Sequence, residues 1–251
     1  MKITHVEAHR VQLPAANPRF SWRAGLGGSA PDSAGAVLRI GTDEGAEGVA
    51  LFARPGGAAQ LEDLVDRVFR EELIGQDPYQ REWLWHRVWE LDRIQELPLP
   101  VLGLIDVALW DLAGRVSGQP VWQLLGGHRR SIPAYASTST FATTEEFLDV
   151  ATQCLELGYA AIKLHAWGDA RRDAELCAAL RDHVGSAIPL MYDGSAGFDL
   201  PDAIYLGKAL SDLGYLWYEE PMREFSITAY GQLARTVGSR SWSPRPPTEP
   251  T

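Results

Sequence analysis

The chain has 251 residues, of which 45% are hydrophobic and 22% charged, and 23 basic against 33 acidic side chains leave a net charge of −10. This is enough apolar material for one or two packed domains and excludes global disorder. Without a Lys/Arg stripe the chain does not read as a nucleic-acid binder, and no run approaches the ~18 apolar residues of a membrane helix.

Residues 3–13 alternate and predict a strand. Residues 14–33, rich in Gly, Pro, Ala and Ser, read as a long loop of the kind that is functional or disordered. Strands are expected over 35–41 and 46–53, joined by the hairpin turn Thr42-Asp43-Glu44-Gly45. Three helices follow: 58–72, then 79–92 after an Asp77-Pro78 start, then 101–117 closed by Gly118 and Pro120. The tryptophans 83, 85 and 89 fall at helical spacing, and the expectation is that they pack in the core. From residue 131 the pattern becomes strand–helix alternation, with strands over 132–137, 160–165, 188–193 and 215–219. Helices are expected over 143–157, 169–184, 199–213 and 226–237. The fold expected is an α+β domain over residues 1–128 (an antiparallel meander plus a three-helix bundle). A partial (β/α)8 TIM-type barrel of about four βα units follows over 129–238. Cys154 and Cys177 show neither disulfide nor zinc spacing, and the opening residues lack the apolar core of a signal peptide, so a soluble cytoplasmic protein is expected.

Barrel active sites lie at the C-terminal ends of the strands. Those ends carry Lys163 and His165, then Asp193, then Glu219 and Glu220. Alternate strand residues share a face, so Lys163 and His165 project together while Leu164 points into the helix layer. Carboxylates at neighbouring strand ends are hard oxygen ligands suited to Mg²⁺. Strand-end acids often only cap a helix or pair with a base; four such groups on three successive strand ends argue for a site. The overall negative charge does not exclude an anionic substrate, because a bound cation inverts the local field.

Residues 105–127, Ile-Asp-Val-Ala-Leu-Trp-Asp-Leu-Ala-Gly-Arg-Val-Ser-Gly-Gln-Pro-Val-Trp-Gln-Leu-Leu-Gly-Gly, resemble the signature that closes the capping domain of the mandelate racemase/muconate lactonizing group of the enolase superfamily. Lys-Leu-His, Tyr-Asp-Gly and Glu-Glu-Pro fall where that family has its base pair and first two metal ligands. The resemblance implies Mg²⁺ held by three carboxylates on successive strands. It implies a substrate carboxylate on the metal and a base that removes the α proton, giving an enediolate that the metal stabilises. By the resemblance Asp193 is the first ligand, Glu219 the second and Glu220 an outer support. Lys163 and His165 are then the catalytic pair, His165 standing where the racemase type often has Lys; an imidazole needs little tuning to act as a base. Phe20 and Trp22, on the loop that covers the family's site, are candidate substrate contacts or ordinary loop anchors.

The resemblance also implies a third ligand. Asp193 and Glu219 are 26 residues apart, which puts the next acid near position 245, where the chain has Arg245. Residues 239–251 contain four prolines and lack strand character. One reading is a natural disordered terminus. The favoured one is a frameshift after about Gly238, because restoring one lost base permits a buried strand ending in Glu at position 245. The gene sequence around codon 238 decides between them. The expected protein is then a C-terminally shortened acid-sugar dehydratase (a lyase) or racemase (an isomerase), impaired in catalysis. It binds a small carboxylate, neither nucleic acid nor membrane, and associates as a homo-oligomer to cover open edges. Alternatives are a cycloisomerase or dipeptide epimerase on the same fold, against which His165 argues mildly, and a non-catalytic fragment.

Overall fold

The computed structural model describes residues 1–14, 20–23, 25–26, 33–53, 57–97, 99–223 and 226–237. The 239–251 tail, and most of the loop between Pro14 and Ser33, lie outside them. The chain forms two compact units, residues 1–17 with 30–130, and residues 18–29 with 131–251.

In the first unit, β1 (Ile3–Leu13), β2 (Ser33–Thr42) and β3 (Glu47–Phe52) form an antiparallel sheet in the order β1-β2-β3. Gly45, at φ +78°, allows the tight turn between the last two. Ile3, Val6, Leu38, Ile40, Ala50 and Phe52 lie in the core; alternation accounts for the last four, and a register shift between Ile3 and His5 brings Ile3 and Val6 to the same side. Helix α1 (Gly57–Leu64) runs through a π-helical turn (Val65–Phe69) into α2 (Arg70–Leu73), and α3 (Arg81–Gln95) and α4 (Leu99–Ser117) follow. Helix α4 lies directly on β3. A side chain at Gly48 would put its Cβ 2.0 Å from the Ala108 carbonyl oxygen, and the Val49 amide donates to Asp111 Oδ2 at 2.9 Å.

The expected burial of the tryptophans is corrected here. Helix α3 buries Leu84 and Val88, one turn apart, whereas Trp83, Trp85 and Trp89 are 45%, 43% and 50% exposed. The inward stripe is narrow, and the indoles flank it. Helix α3 also starts later than expected, because the Tyr79 amide is held in a turn by Asp77 Oδ1 at 2.9 Å. Beyond α4, Gly118 (φ +64°) and Pro120 lead into a short α5 (Val121–Leu124) that the pattern does not announce.

In the second unit, β4 (Ala136–Ser137), β5 (Ile162–His165), β6 (Leu190–Asp193) and β7 (Trp217–Glu219) form a parallel sheet in sequence order. They alternate with α6 (Thr144–Glu156), α7 (Ala170–Val184), α8 (Leu200–Asp212) and α9 (Ile227–Val237). Four successive βα units of this kind are a partial barrel. The first three helix starts are chemically specified. Thr143 and Glu146 form a reciprocal capping box, Asp169 and Asp199 cap α7 and α8, and Pro201 occupies the first turn of α8. Ile162, Leu164, Leu190, Tyr192 and Tyr218 turn to the helices, where they meet Phe147, Leu176, Leu180, Leu206 and Leu233. Strand β4 is shorter than expected: Ile132 is exposed and Pro133 has no N–H for a ladder. Cys154 and Cys177 are both free, and burial pushes the Cys177 thiol well up.

Candidate metal and acid–base site

Strand register builds the site. His165 pairs with Asp193, and Asp193 with Glu219, so three strand ends finish level. Lys163 sits two residues below His165 on the same face. All four groups singled out in the sequence therefore meet within the second unit. Lys163 Nζ lies 2.9 Å from Asp193 Oδ2 and 2.9 Å from Glu219 Oε2. His165 Nε2 is 3.0 Å from the same Asp193 Oδ2, and its Nδ1 is 2.6 Å from the Thr138 carbonyl oxygen. That oxygen can only accept, so Nδ1 carries a proton and Nε2 is the nitrogen presented to Asp193. Asp193 Oδ1 accepts from the Ser195 amide at 2.9 Å, and Trp217 Nε1 donates to Glu219 Oε2 at 3.2 Å.

The electrostatics follow from these contacts. Burial alone would raise the Asp193 carboxyl, but hydrogen bonds from His165, Lys163 and the Ser195 amide hold it well below the usual carboxylate range. Burial also works against charge on Lys163, and the bonds to Glu219 and Asp193 outweigh it, raising its pKa above an ordinary lysine's. The centre is thus one ammonium gripped by two carboxylates.

The loops after the strands hold this geometry. Ser195 (φ +46°), Ala196 (φ +54°) and Glu220 (φ +40°) adopt left-handed backbone immediately after the two acids, a conformation that costs non-glycine residues energy and clusters at functional sites. The Gly194 amide donates to the Glu219 carbonyl and the Ala196 amide to the Glu220 carbonyl, tying the β6 and β7 loops together. The fit is close at Gly194, where a Cβ would stand 3.0 Å from the Glu220 carbonyl oxygen. Behind the rim, fully buried Asp173 accepts from Tyr192 Oη (2.7 Å) and from the Trp167 (3.1 Å) and Gly168 (2.9 Å) amides.

Trp22 and Leu26 stand along one side. The Trp22 ring lies 4.7 Å from the His165 ring, and Phe20 stands edge-on to Trp22 at 4.9 Å. Together with Leu26, Ser137 and the four central groups' neighbours Ser195 and Glu220, Trp22 lines a cavity of about 420 Å³; Phe20 is not among its lining residues. Arg23, which the sequence did not flag, donates from Nε to the Ser195 carbonyl at 3.0 Å. Its side chain packs so closely on Gly168 and Gly197 that a Cβ at either would fall within 3.3 Å of it. Those two rim glycines are the only sequence hint of that contact.

The donor chemistry fits a hard divalent cation. Two carboxylate oxygens converge on one point, the position of the Lys163 nitrogen. They are two of the oxygens such an ion needs, and no group of three acidic, His or Cys side chains suited to a metal occurs among the described residues.

Comparison with known proteins agrees with this architecture. Residues 28–126 match the mandelate racemase / muconate lactonizing enzyme N-terminal domain, and residues 146–240 match the enolase C-terminal domain-like family. The chain belongs to the mandelate racemase/muconate lactonizing group of the enolase superfamily. Among curated members of the superfamily it is similar to the D-galactarolactone cycloisomerase of Agrobacterium fabrum, at 31% identity over 96% of this chain and 65% of that protein. Among solved superfamily structures it resembles a D-glucarate dehydratase from Agrobacterium tumefaciens complexed with magnesium. The TM-score there is 0.83 and the identity 33%, over 94% of this chain and 65% of that one. A racemase from Streptomyces coelicolor A3(2) with bound magnesium gives a TM-score of 0.81 at 27% identity, covering 94% of this chain and 67% of that one. The chain thus spans about two thirds of the length of these superfamily members. No helix among its described residues is long and apolar enough to cross a membrane.

Proposed function

We propose that this chain carries the metal-binding and proton-abstracting half of an acid-sugar dehydratase or racemase site. In this reading Asp193 and Glu219 hold Mg²⁺, and Lys163 and His165 serve the substrate's α carbon and carboxylate. The observation that carries the reading is the convergence of both carboxylates and the Lys163 amine at one point, beside an imidazole, at the C-terminal rim of successive parallel strands. A divalent cation bound there supplies electrostatic stabilisation of the negative charge that develops when a proton is removed α to a carboxylate. The chain's own residues do the rest. The Thr138 carbonyl fixes the tilt of His165 by accepting from Nδ1, and Nε2, which donates to Asp193, is the nitrogen placed to exchange a proton. Lys163, positively charged in this setting, suits a substrate carboxylate, and Trp22 shields the imidazole from water on one face. The structures solved with magnesium and the names of the related proteins support the cofactor and the substrate class. A second reading, isomerisation of an acid-sugar lactone, is favoured by the 31% identical cycloisomerase.

The test is α-proton exchange. The purified chain is incubated in D₂O with MgCl₂ and a panel of acid sugars and their lactones, and the α-proton signal is followed by NMR. Exchange or loss of water with one member, absent from Lys163→Ala and His165→Asn, supports the dehydratase or racemase reading. A rearranged lactone without loss of water supports the second. No exchange with any compound counts against both.

A further inference from the structure

We propose that the Lys163 ammonium is the resident cation of the Asp193–Glu219 pair when no metal is bound, and that a divalent ion enters the site by displacing it. This rests on the reading of Asp193 and Glu219 as metal ligands. Two carboxylates converging on one point repel each other unless a positive charge stands between them. In this structure that charge is Nζ of Lys163, 2.9 Å from an oxygen of each. Its side chain is only 9% exposed, so solvent counter-ions do little of the neutralising. A hard divalent ion bound by the same oxygens would stand at roughly 2.0–2.1 Å from each, in the space the nitrogen fills. The two cations exclude each other sterically and by charge.

The displaced amine has somewhere to go. Lysine's four-carbon stem is flexible. Nζ already lies 5.8 Å from the face of the Tyr135 ring, and the cavity of about 420 Å³ opens beside it. A substrate lying in that cavity would then meet the ammonium just released from the acids. Metal entry and presentation of Lys163 to an anionic substrate become one event, and the metal-free chain keeps its site folded around an internal ion pair.

Isothermal titration with MgCl₂ tests this on the whole chain and on Lys163→Met, Asp193→Asn and Lys208→Met, the last removing an equal charge from an exposed position on α8. Displacement predicts that Lys163→Met binds Mg²⁺ at least roughly tenfold more tightly than the parent, since a bound cation no longer has to be expelled. Lys208→Met should bind as the parent does, and Asp193→Asn should not bind. Tighter binding by Lys163→Met where the parent shows none supports the proposal as well. Equal or weaker binding by Lys163→Met, with Asp193→Asn still abolishing it, overturns displacement while leaving the metal site intact. No binding by either at millimolar Mg²⁺ overturns both. Should Lys163→Met fail to fold, mass-spectrometric footprinting of the parent with an amine-acylating reagent decides. Lys163 labelling that rises on adding Mg²⁺ supports displacement, and unchanged labelling contradicts it.

Discussion

Asp173→Ala tests whether the buried carboxylate behind the rim holds the β5 and β6 ends in place. The substitution removes the acceptor of three hydrogen bonds, from Tyr192 Oη and from the Trp167 and Gly168 amides. Tyr192 is 1% exposed, so its hydroxyl would be left buried without a partner, at about 1–3 kcal/mol. The two amides lie in a half-buried loop where water can replace part of what is lost, about 0.5–1 kcal/mol each. Against this, burial raises the Asp173 pKa, so its charged form is itself costly, and the substitution relieves that cost. The net expectation is a loss of about 2–4 kcal/mol from the second unit. With a urea m-value of about 2 kcal/mol/M this lowers the midpoint by about 1–2 M. Urea denaturation followed by near-ultraviolet circular dichroism reads it, together with a cycle through Tyr192→Phe. If the network is real, Tyr192→Phe costs markedly less in the Asp173→Ala background than in the parent. A loss below about 1 kcal/mol for Asp173→Ala, or strict additivity in the cycle, would refute the assigned role. The pH sense is also fixed. The folded-state pKa of this acid is raised, so the parent gains stability from it as pH falls through that value, and Asp173→Asn should lack the gain.

Asp193 behaves in the opposite sense: its folded pKa is depressed, so its stabilising contribution is full above the ordinary value of 3.8 and is lost as pH falls below it. Thermal melts of the metal-free chain from pH 6 to pH 2.5 should show a steeper acid loss than those of Asp193→Asn. Gly48→Ala forces a Cβ into the Ala108 carbonyl and should cost about 2 kcal/mol or more in the first unit, seen as a lower melting temperature. Trp89→Gln should change stability by no more than about 0.5 kcal/mol in the same melt, because the indole is half exposed; a loss near 3 kcal/mol would restore the core reading.

Much of the fold was legible because local chemistry and global arrangement agree. The helix expected over 143–157 formed, its start fixed by the Thr143–Glu146 capping box, and the alternating residues 3–13 became β1. The tryptophans misled because periodicity reports a face without saying how wide its buried stripe is. Leu84 and Val88 fill that stripe, so the larger side chains beside them are left outside. Residues 132–135 misled because branched and aromatic residues there satisfy a strand pattern that Pro133 interrupts. In the site, strand-end position and alternation were enough to place Lys163, His165, Asp193 and Glu219 on one rim. The three-way contact at Lys163 Nζ depends on interstrand register, which no single strand encodes. The left-handed Ser195, Ala196 and Glu220 carry no sequence mark, since such conformations are imposed by the loops that surround them.

Diffraction from crystals soaked in Mn²⁺, recorded at a wavelength where manganese scatters anomalously, addresses the convergence at the rim. The expectation is a single anomalous peak within roughly 2.2 Å of carboxylate oxygens of both Asp193 and Glu219, with Lys163 Nζ withdrawn from between them. Crystals with no peak there, or a peak bound by one acid while Lys163 still bridges the pair, would contradict it.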